Sequence, residues 1–141
     1  MILPDVNVLV YAFRKDALGH QRYREWLLAI VKGPSAYGVS PQVLSSVVRV
    51  TTHPGIFAQP SRLDEALAFC HALMEQIHCQ VIQPGVRHWS IFADLCFRAQ
   101  TAGNLVQDAW FAALAIENGC EWITTDRDYS RFPGLRWRPP F

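Results

Sequence analysis

The sequence predicts an α/β domain in which a mainly parallel sheet is covered by helices on both faces. Three observations carry that expectation. Four short apolar segments, each too short to be a helix, alternate with longer stretches of helical periodicity. Some of these segments are separated by two helical stretches, as the crossover between parallel strands allows. The 141 residues, 50% hydrophobic and 18% charged, supply one sizeable core but hardly two, so residues 1–141 are read as a single domain.

Residues 1–3 form the first apolar run, which meets Pro4 and Asp5. A strand ending there is followed by a helical turn, because residues 6–13 are apolar apart from Asn7. Proline removes a ladder donor, and only its place at the strand's end makes Pro4 acceptable. Tyr23, Trp26, Leu27, Ile30 and Val31 then make the stripe of an amphipathic helix, stopped by Lys32, Gly33 and Pro34. Residues 36–39 read as the second strand. Ser40 and Pro41 supply an N-cap and a first-turn proline for a helix running to about Thr52, where His53, Pro54 and Gly55 end it.

Ser61 and Asp64 resemble a capping box for a long helix with Leu63, Leu67, Cys70, Met74 and Ile77 on one face. Val81 and Ile82 form the next strand, and a helix over residues 87–99 follows Pro84 and Gly85. Another helix opens near Asn104 and closes at Asn118 and Gly119. Residues 121–124 are the last clear strand, before a turn at Phe132, Pro133 and Gly134 and a tail containing Arg and Trp.

Several function classes drop out on composition. The longest apolar run, residues 26–31, falls far short of the ~20 residues of a membrane span. Asp5 stands where a signal peptide would need an apolar stretch, and no basic leader precedes it. Cys70, Cys79, Cys96 and Cys120 form no Cys-x-x-Cys pair, and the five histidines no i, i+4 pair. Reduced cysteines in a cytoplasmic protein, without zinc, are therefore expected. Thirteen Lys and Arg against twelve Asp and Glu leave a formal net charge of +1, which names no partner by itself. The informative question is where the twelve acids fall.

Eight of them sit on polar helix faces, caps or loops. The other four are Asp5 after the first strand, Asp126 and Asp128 after the last, and Asp108 within an otherwise apolar helix. Each alone has a structural reading, as a helix cap or a first-turn acid. In a parallel α/β sheet, however, ligands bind at the carboxyl ends of the strands, so these acids are expected to converge on one cleft. Like carboxylates a few ångströms apart need a counter-charge, and no lysine lies in these segments. Mg²⁺ or Mn²⁺ is the economical solution for an all-oxygen site, and it suits phosphodiester hydrolysis.

These residues carry a resemblance. Leu-Pro-Asp-Val-Asn-Val at 3–8, Gly-Asn-Leu-Val-Gln-Asp-Ala at 103–109, and Thr-Thr-Asp-Arg-Asp-Tyr-Ser-Arg-Phe-Pro-Gly-Leu at 124–135 are similar to the signatures of PIN-domain ribonucleases of the VapC type. Ser-Pro-Gln-Val-Leu followed by Arg-Val-Thr and His-Pro, at 40–54, extends the similarity over nearly the whole chain. The resemblance implies a small α/β/α PIN-like domain, Mg²⁺-dependent endoribonuclease activity with Mn²⁺ able to substitute, a homodimer, and a cognate antitoxin. It implies metal-binding roles for Asp5 and Asp108, and places Asp126 and Asp128 with the acids after the last core strand. Asn7 and Thr125 fall beside them, to orient water or carboxylate or simply to make turn hydrogen bonds.

One departure stands out. The family's usual glutamate in the helix after the second strand matches Ser46 here, and no Asp or Glu occurs from Trp26 through Leu63. Ser46 either holds a water or is a plain helix serine. The poorer charge leaves an alternative open, an RNA-binding or regulatory pseudo-enzyme with weak or no catalysis. Eleven of the thirteen basic residues are arginine, and Arg127 and Arg131 follow the acids, placed for RNA or for solvent. Arg49, in the Ser46 helix, calls for an aspartate or a phosphate partner if it is buried. Phe92, Leu95 and the Tyr23 helix are candidates for a dimer or antitoxin surface. An aspartyl-phosphate chemistry is disfavoured, because Lys15 and Lys32 are the only lysines and neither lies late in the chain.

Overall fold

The computed structural model describes residues 1–141. Five parallel strands, β1 (Ile2–Pro4), β2 (Tyr37–Val39), β3 (Cys79–Val81), β4 (Glu121–Ile123) and β5 (Trp137–Arg138), form one sheet in the order β3-β2-β1-β4-β5. Six helices flank it: α1 (Val6–Phe13), α2 (His20–Lys32), α3 (Pro41–Thr51), α4 (Leu63–Met74), α5 (His88–Ala99) and α6 (Asn104–Glu117). Helix α1 packs against α2 and α3, α3 against α4, and α5 against α6.

Pro4 is tolerated in the central strand for a geometric reason. Backbone N–H groups alternate sides along a strand, and Asp5 donates to Ile123 O of β4, so the Pro4 nitrogen faces β2. The β1–β2 pairing registers only at Ile2 and Tyr37, and no ladder bond is lost at Pro4. The core lies between sheet and helices, with Leu3, Tyr37 and Trp122 fully buried, and Trp122 stacked on Phe111 of α6. Ser40 caps α3 by accepting from Gln42 N at 3.3 Å, with Pro41 in the first turn.

Gly38 occupies the middle of β2 because a Cβ there would stand 2.8 Å from Ile82 Cγ1. Gly38→Ala is expected to cost about 1–3 kcal/mol in a denaturant melt, as overpacking does. An unchanged midpoint would mean that Ile82 can move aside freely.

Three expectations need correction. Helix α4 ends at Met74, so Ile77 lies beyond it and is exposed, as are Leu63 and Leu67. Its buried face is Ala66, Cys70 and Leu73, and its N-cap is Arg62 with no side-chain cap, while Ser61 Oγ accepts instead from Arg14. Leu95 is a core residue; the exposed apolar positions near it are Val86, Trp89 and Phe97. The tail contributes β5, an edge strand held to β4 by Trp122 N to Arg136 O and Thr124 N to Arg138 O.

Candidate active site

The strand order reverses between β1 and β4, and the acids that follow these two strands meet there. Asp5 is buried at the N-cap of α1. Its Oδ1 accepts from Val6 N at 2.6 Å and its Oδ2 accepts from Thr124 Oγ1 at 2.6 Å. Thr124, fully buried at the end of β4, also accepts from Asp126 N at 3.0 Å and from Asn7 Nδ2 at 3.4 Å. Asp126 in turn accepts from Asp128 N at 2.8 Å, capping the short 3-10 helix Arg127–Arg131.

Asp108 reaches the same place from α6. It lies in the second turn, with no acid in the first, so the helix-dipole explanation of this residue does not apply. Its Oδ1 accepts from the buried Tyr129 hydroxyl at 3.4 Å. Asp5, Asp108 and Asp126 line one cleft of about 610 Å³, together with Asn7, Ser46, Arg49 and Tyr129. A second groove of similar volume lies by the start of β1, and no acidic side chain lines it.

The electrostatics of the cleft follow from this crowding. Burial, assisted by the charges of Asp108 and Asp126 and opposed by the bonds from Thr124 and Val6, pushes Asp5 from 3.8 up to about 6. Burial and the Asp126 charge push Asp108 up to about 6 as well, against the Tyr129 hydrogen bond. Burial first, then the nearby carboxylates, raises Tyr129 far enough to keep it a neutral donor. Above pH 6 the cleft therefore concentrates negative charge in a poorly solvated place.

No three His, Cys, Asp or Glu side chains already stand at metal-ligand spacing, so the aspartates share the cleft without closing into a shell. The donor set nonetheless fits a hard cation. It offers carboxylate oxygens in excess of positive charge, and Asn7 Oδ1 is buried beside them with no hydrogen-bond partner. Oxygen donors without sulfur or imidazole favour Mg²⁺ or Mn²⁺ over zinc.

The remaining candidates divide. Asp128 is exposed, lies outside the cleft lining and pairs with Arg131 at 3.4 Å; its charge still raises Asp108. Arg127 is exposed. Thr125 is exposed and makes no side-chain hydrogen bond, and the hydroxyl that orders Asp5 belongs to Thr124, one residue earlier. Arg49 is exposed on the cleft and takes part in none of the five ion pairs of the chain. Sequence reasoning missed Thr124 and Tyr129. The two-residue period from the core residue Trp122 puts Thr124 on the same side of the strand, and that signal was available.

Known proteins resemble this chain along its whole length. The PIN domain profile matches residues 2–135. Ribonuclease VapC25 of Mycobacterium tuberculosis is 38% identical over 141 residues, 99% of this chain and 99% of the relative. Ribonuclease VapC43 of the same organism is 37% identical over 140 residues, 99% and 95% of the two chains. Among solved structures, VapBC2 from Rickettsia felis bound to a promoter DNA fragment superposes with a TM-score of 0.72 at 17% identity, over 99% of this chain and 98% of that one. VapC20 of M. tuberculosis, a Sarcin-Ricin loop cleaving toxin, gives 0.70 at 14%, over 96% and 99%. At such identities the structures speak to the fold, and the fold agrees.

Proposed function

The chain belongs to the PIN-domain family and within it to the VapC type, and on that footing we propose that it is an endoribonuclease, the toxin of a toxin–antitoxin pair, which hydrolyses RNA phosphodiester bonds at the Asp5, Asp108 and Asp126 cleft with Mg²⁺ or Mn²⁺. The observation that supports this reading best is the convergence of three carboxylates from three elements. Two of them are pushed up to about 6, and no lysine or ion-paired arginine stands against them.

Asp5, Asp108 and Asp126 would hold the cation, which when bound supplies positive charge at the scissile phosphate and lowers the pKa of water. The rest is done by the chain. Thr124 fixes the Asp5 carboxylate through its hydroxyl, and its acceptance of Asp126 N ties the turn after β4 to the same point. Tyr129, kept neutral, orients Asp108. Asn7 Oδ1 keeps an unused acceptor position buried beside the carboxylates, and Arg49 presents a guanidinium to a phosphate. Asp128 acts on the site through its field, and Arg127 and Arg131 would contact RNA outside the cleft.

Residues 1–141 are proposed as one domain, a homodimer in solution, with a cognate antitoxin as partner and the cytoplasm as its place. The four free cysteines support the last point. No helix is long and apolar enough to cross a membrane.

The proposal is tested by RNA cleavage with the purified, antitoxin-free protein. Turnover with Mn²⁺ and none with chelator is expected, and equal rates in both would overturn it. Ser46 lines the cleft, so Ser46→Glu adds a fourth carboxylate. It is expected to lower the Mn²⁺ concentration for half-maximal cleavage by about tenfold, the scale at which supporting groups tune metal affinity. An unchanged Mn²⁺ requirement would mean that position 46 does not face the cation.

A further inference from the structure

The cleft continues past the aspartates into an apolar wall that the proposed chemistry leaves unused. Tyr11 lies one turn beyond Asn7 on α1 and Val50 one turn beyond Ser46 on α3, each about 6 Å farther along at 1.5 Å per residue. Ile56 and Phe57, from the loop after α3, also line it. Phe57 packs on the core, whereas Ile56 is 51% exposed.

This loop is clamped. Arg14, at the C-terminal end of α1, is only 8% exposed, a costly place for a cation unless it is fully partnered. Its Nε and Nη2 donate to the two oxygens of Asp16 at 2.9 and 2.6 Å, and its Nη1 donates to Gln59 O at 2.8 Å and Ser61 Oγ at 3.0 Å. The guanidinium carbon lies 4.0 Å from the Phe57 ring centroid. The Arg14 bond holds the Asp16 carboxyl below its usual range. Connecting loops are usually the mobile part of a fold. Here a buried arginine fixes one to the helix that carries Asn7, and so holds the apolar wall in place relative to the acids.

One cleft is thus lined by the acidic cluster, by Arg49, which has no ion-pair partner, and by the apolar wall. A nucleotide carries the matching groups: a phosphate for a cation and a guanidinium, and a flat base whose polar edge surrounds two faces able to stack on apolar side chains. We infer that Tyr11, Val50, Ile56 and Phe57 form a nucleobase subsite beside the scissile phosphate, with Arg14 as the positioning residue that keeps it formed. The inference rests on the RNA-cleaving reading of the same cleft and adds what the cleft reads on the strand. It selects nucleotides over bare sugar phosphates through the base.

The test titrates the full chain, with Mn²⁺, by calorimetry with adenosine 5′-monophosphate, cytidine 5′-monophosphate and ribose 5-phosphate. Each nucleotide is expected to bind about tenfold more tightly than ribose 5-phosphate, the scale of one base contact. Ile56→Ser and Arg14→Lys are expected to remove most of that ratio and to leave ribose 5-phosphate binding within about twofold, since neither touches the aspartates. A purely structural role for Arg14 would weaken all three compounds together. Ile56 is exposed enough for its variant to fold, so it decides the matter should Arg14→Lys melt early. Equal affinities in the wild type, or a ratio untouched by Ile56→Ser, overturns the subsite. RNA cleavage that persists in that case leaves the parent reading standing, whereas loss of both phosphate binding and cleavage sinks the two together.

Discussion

Asp5→Asn is expected to lower RNA cleavage by at least about a thousandfold, as loss of a central charged group in a metal-dependent site does, while making the protein more stable above pH 6. The two effects have opposite signs because they share one cause. Asp5 is buried, and its carboxyl is pushed from 3.8 to about 6. Below 3.8 the group is protonated in folded and unfolded chains alike. As the pH rises from 3.8 to about 6 the unfolded chain gives up its proton first, so stability falls through that window and then levels off. The drop amounts to about 3 kcal/mol from this one group.

Asparagine cannot ionise, so the variant escapes the drop. Its amide oxygen can still accept from Val6 N, but its NH₂ would face Thr124 Oγ1, which already accepts from Asp126 N and Asn7 Nδ2, so the hydrogen bond from the Thr124 hydroxyl, worth about 1 kcal/mol, is lost at every pH. In denaturant melts with chelator, the stability of the variant relative to wild type should therefore rise by about 2–3 kcal/mol between pH 4 and pH 7.5. Adding Mn²⁺ should close the gap by stabilising the wild type alone. A difference between wild type and variant that is the same at both pH values would mean that Asp5 is not buried as a charge.

Thr124→Val is expected to reduce cleavage by about 10- to 100-fold, with Thr124→Ser restoring it to within a few-fold. The valine keeps the shape and removes the hydroxyl. Asp5 Oδ2 and Asp126 N then lose their partner together, at a cost of about 1–3 kcal/mol of stability for a buried unpaired group. The discriminating readout is the pH profile. The Thr124 hydrogen bond lowers the Asp5 pKa, so its removal should carry the acidic limb of the profile upward, whereas general damage would scale the whole curve down. A profile that falls without moving would make Thr124 a packing residue.

Asp5 and Asp126 stood out in the sequence because each follows the end of a strand, and Asp108 because it breaks an apolar helix face. Thr124 and Tyr129 did not, for a physical reason. A hydroxyl at the end of a strand and an aromatic within an Arg-rich turn are ordinary in composition, and only their burial makes them partners of the acids. The face of α4 was misread for a related reason. Leu63, Leu67 and Ile77 dominate any hydrophobic count, yet close packing against α3 selects the smaller Ala66 and Cys70, with Leu73. β5 escaped notice because two residues followed by two prolines show no period, and its place is set by backbone pairing to β4. The clamp at Arg14 was equally hidden, since its partners Gln59 and Ser61 lie 45 and 47 positions away.

The most direct test of the account follows Mn²⁺ occupancy and RNA turnover in the same sample as the ion is titrated into wild type, Asp5→Asn and Asp108→Asn. Turnover should rise in proportion to occupancy in the wild type, and both should be lost together in each variant. Turnover that appears before any ion is bound, or that survives in a variant that no longer binds Mn²⁺, would contradict the assignment of the aspartate cleft as the metal-holding site of RNA cleavage.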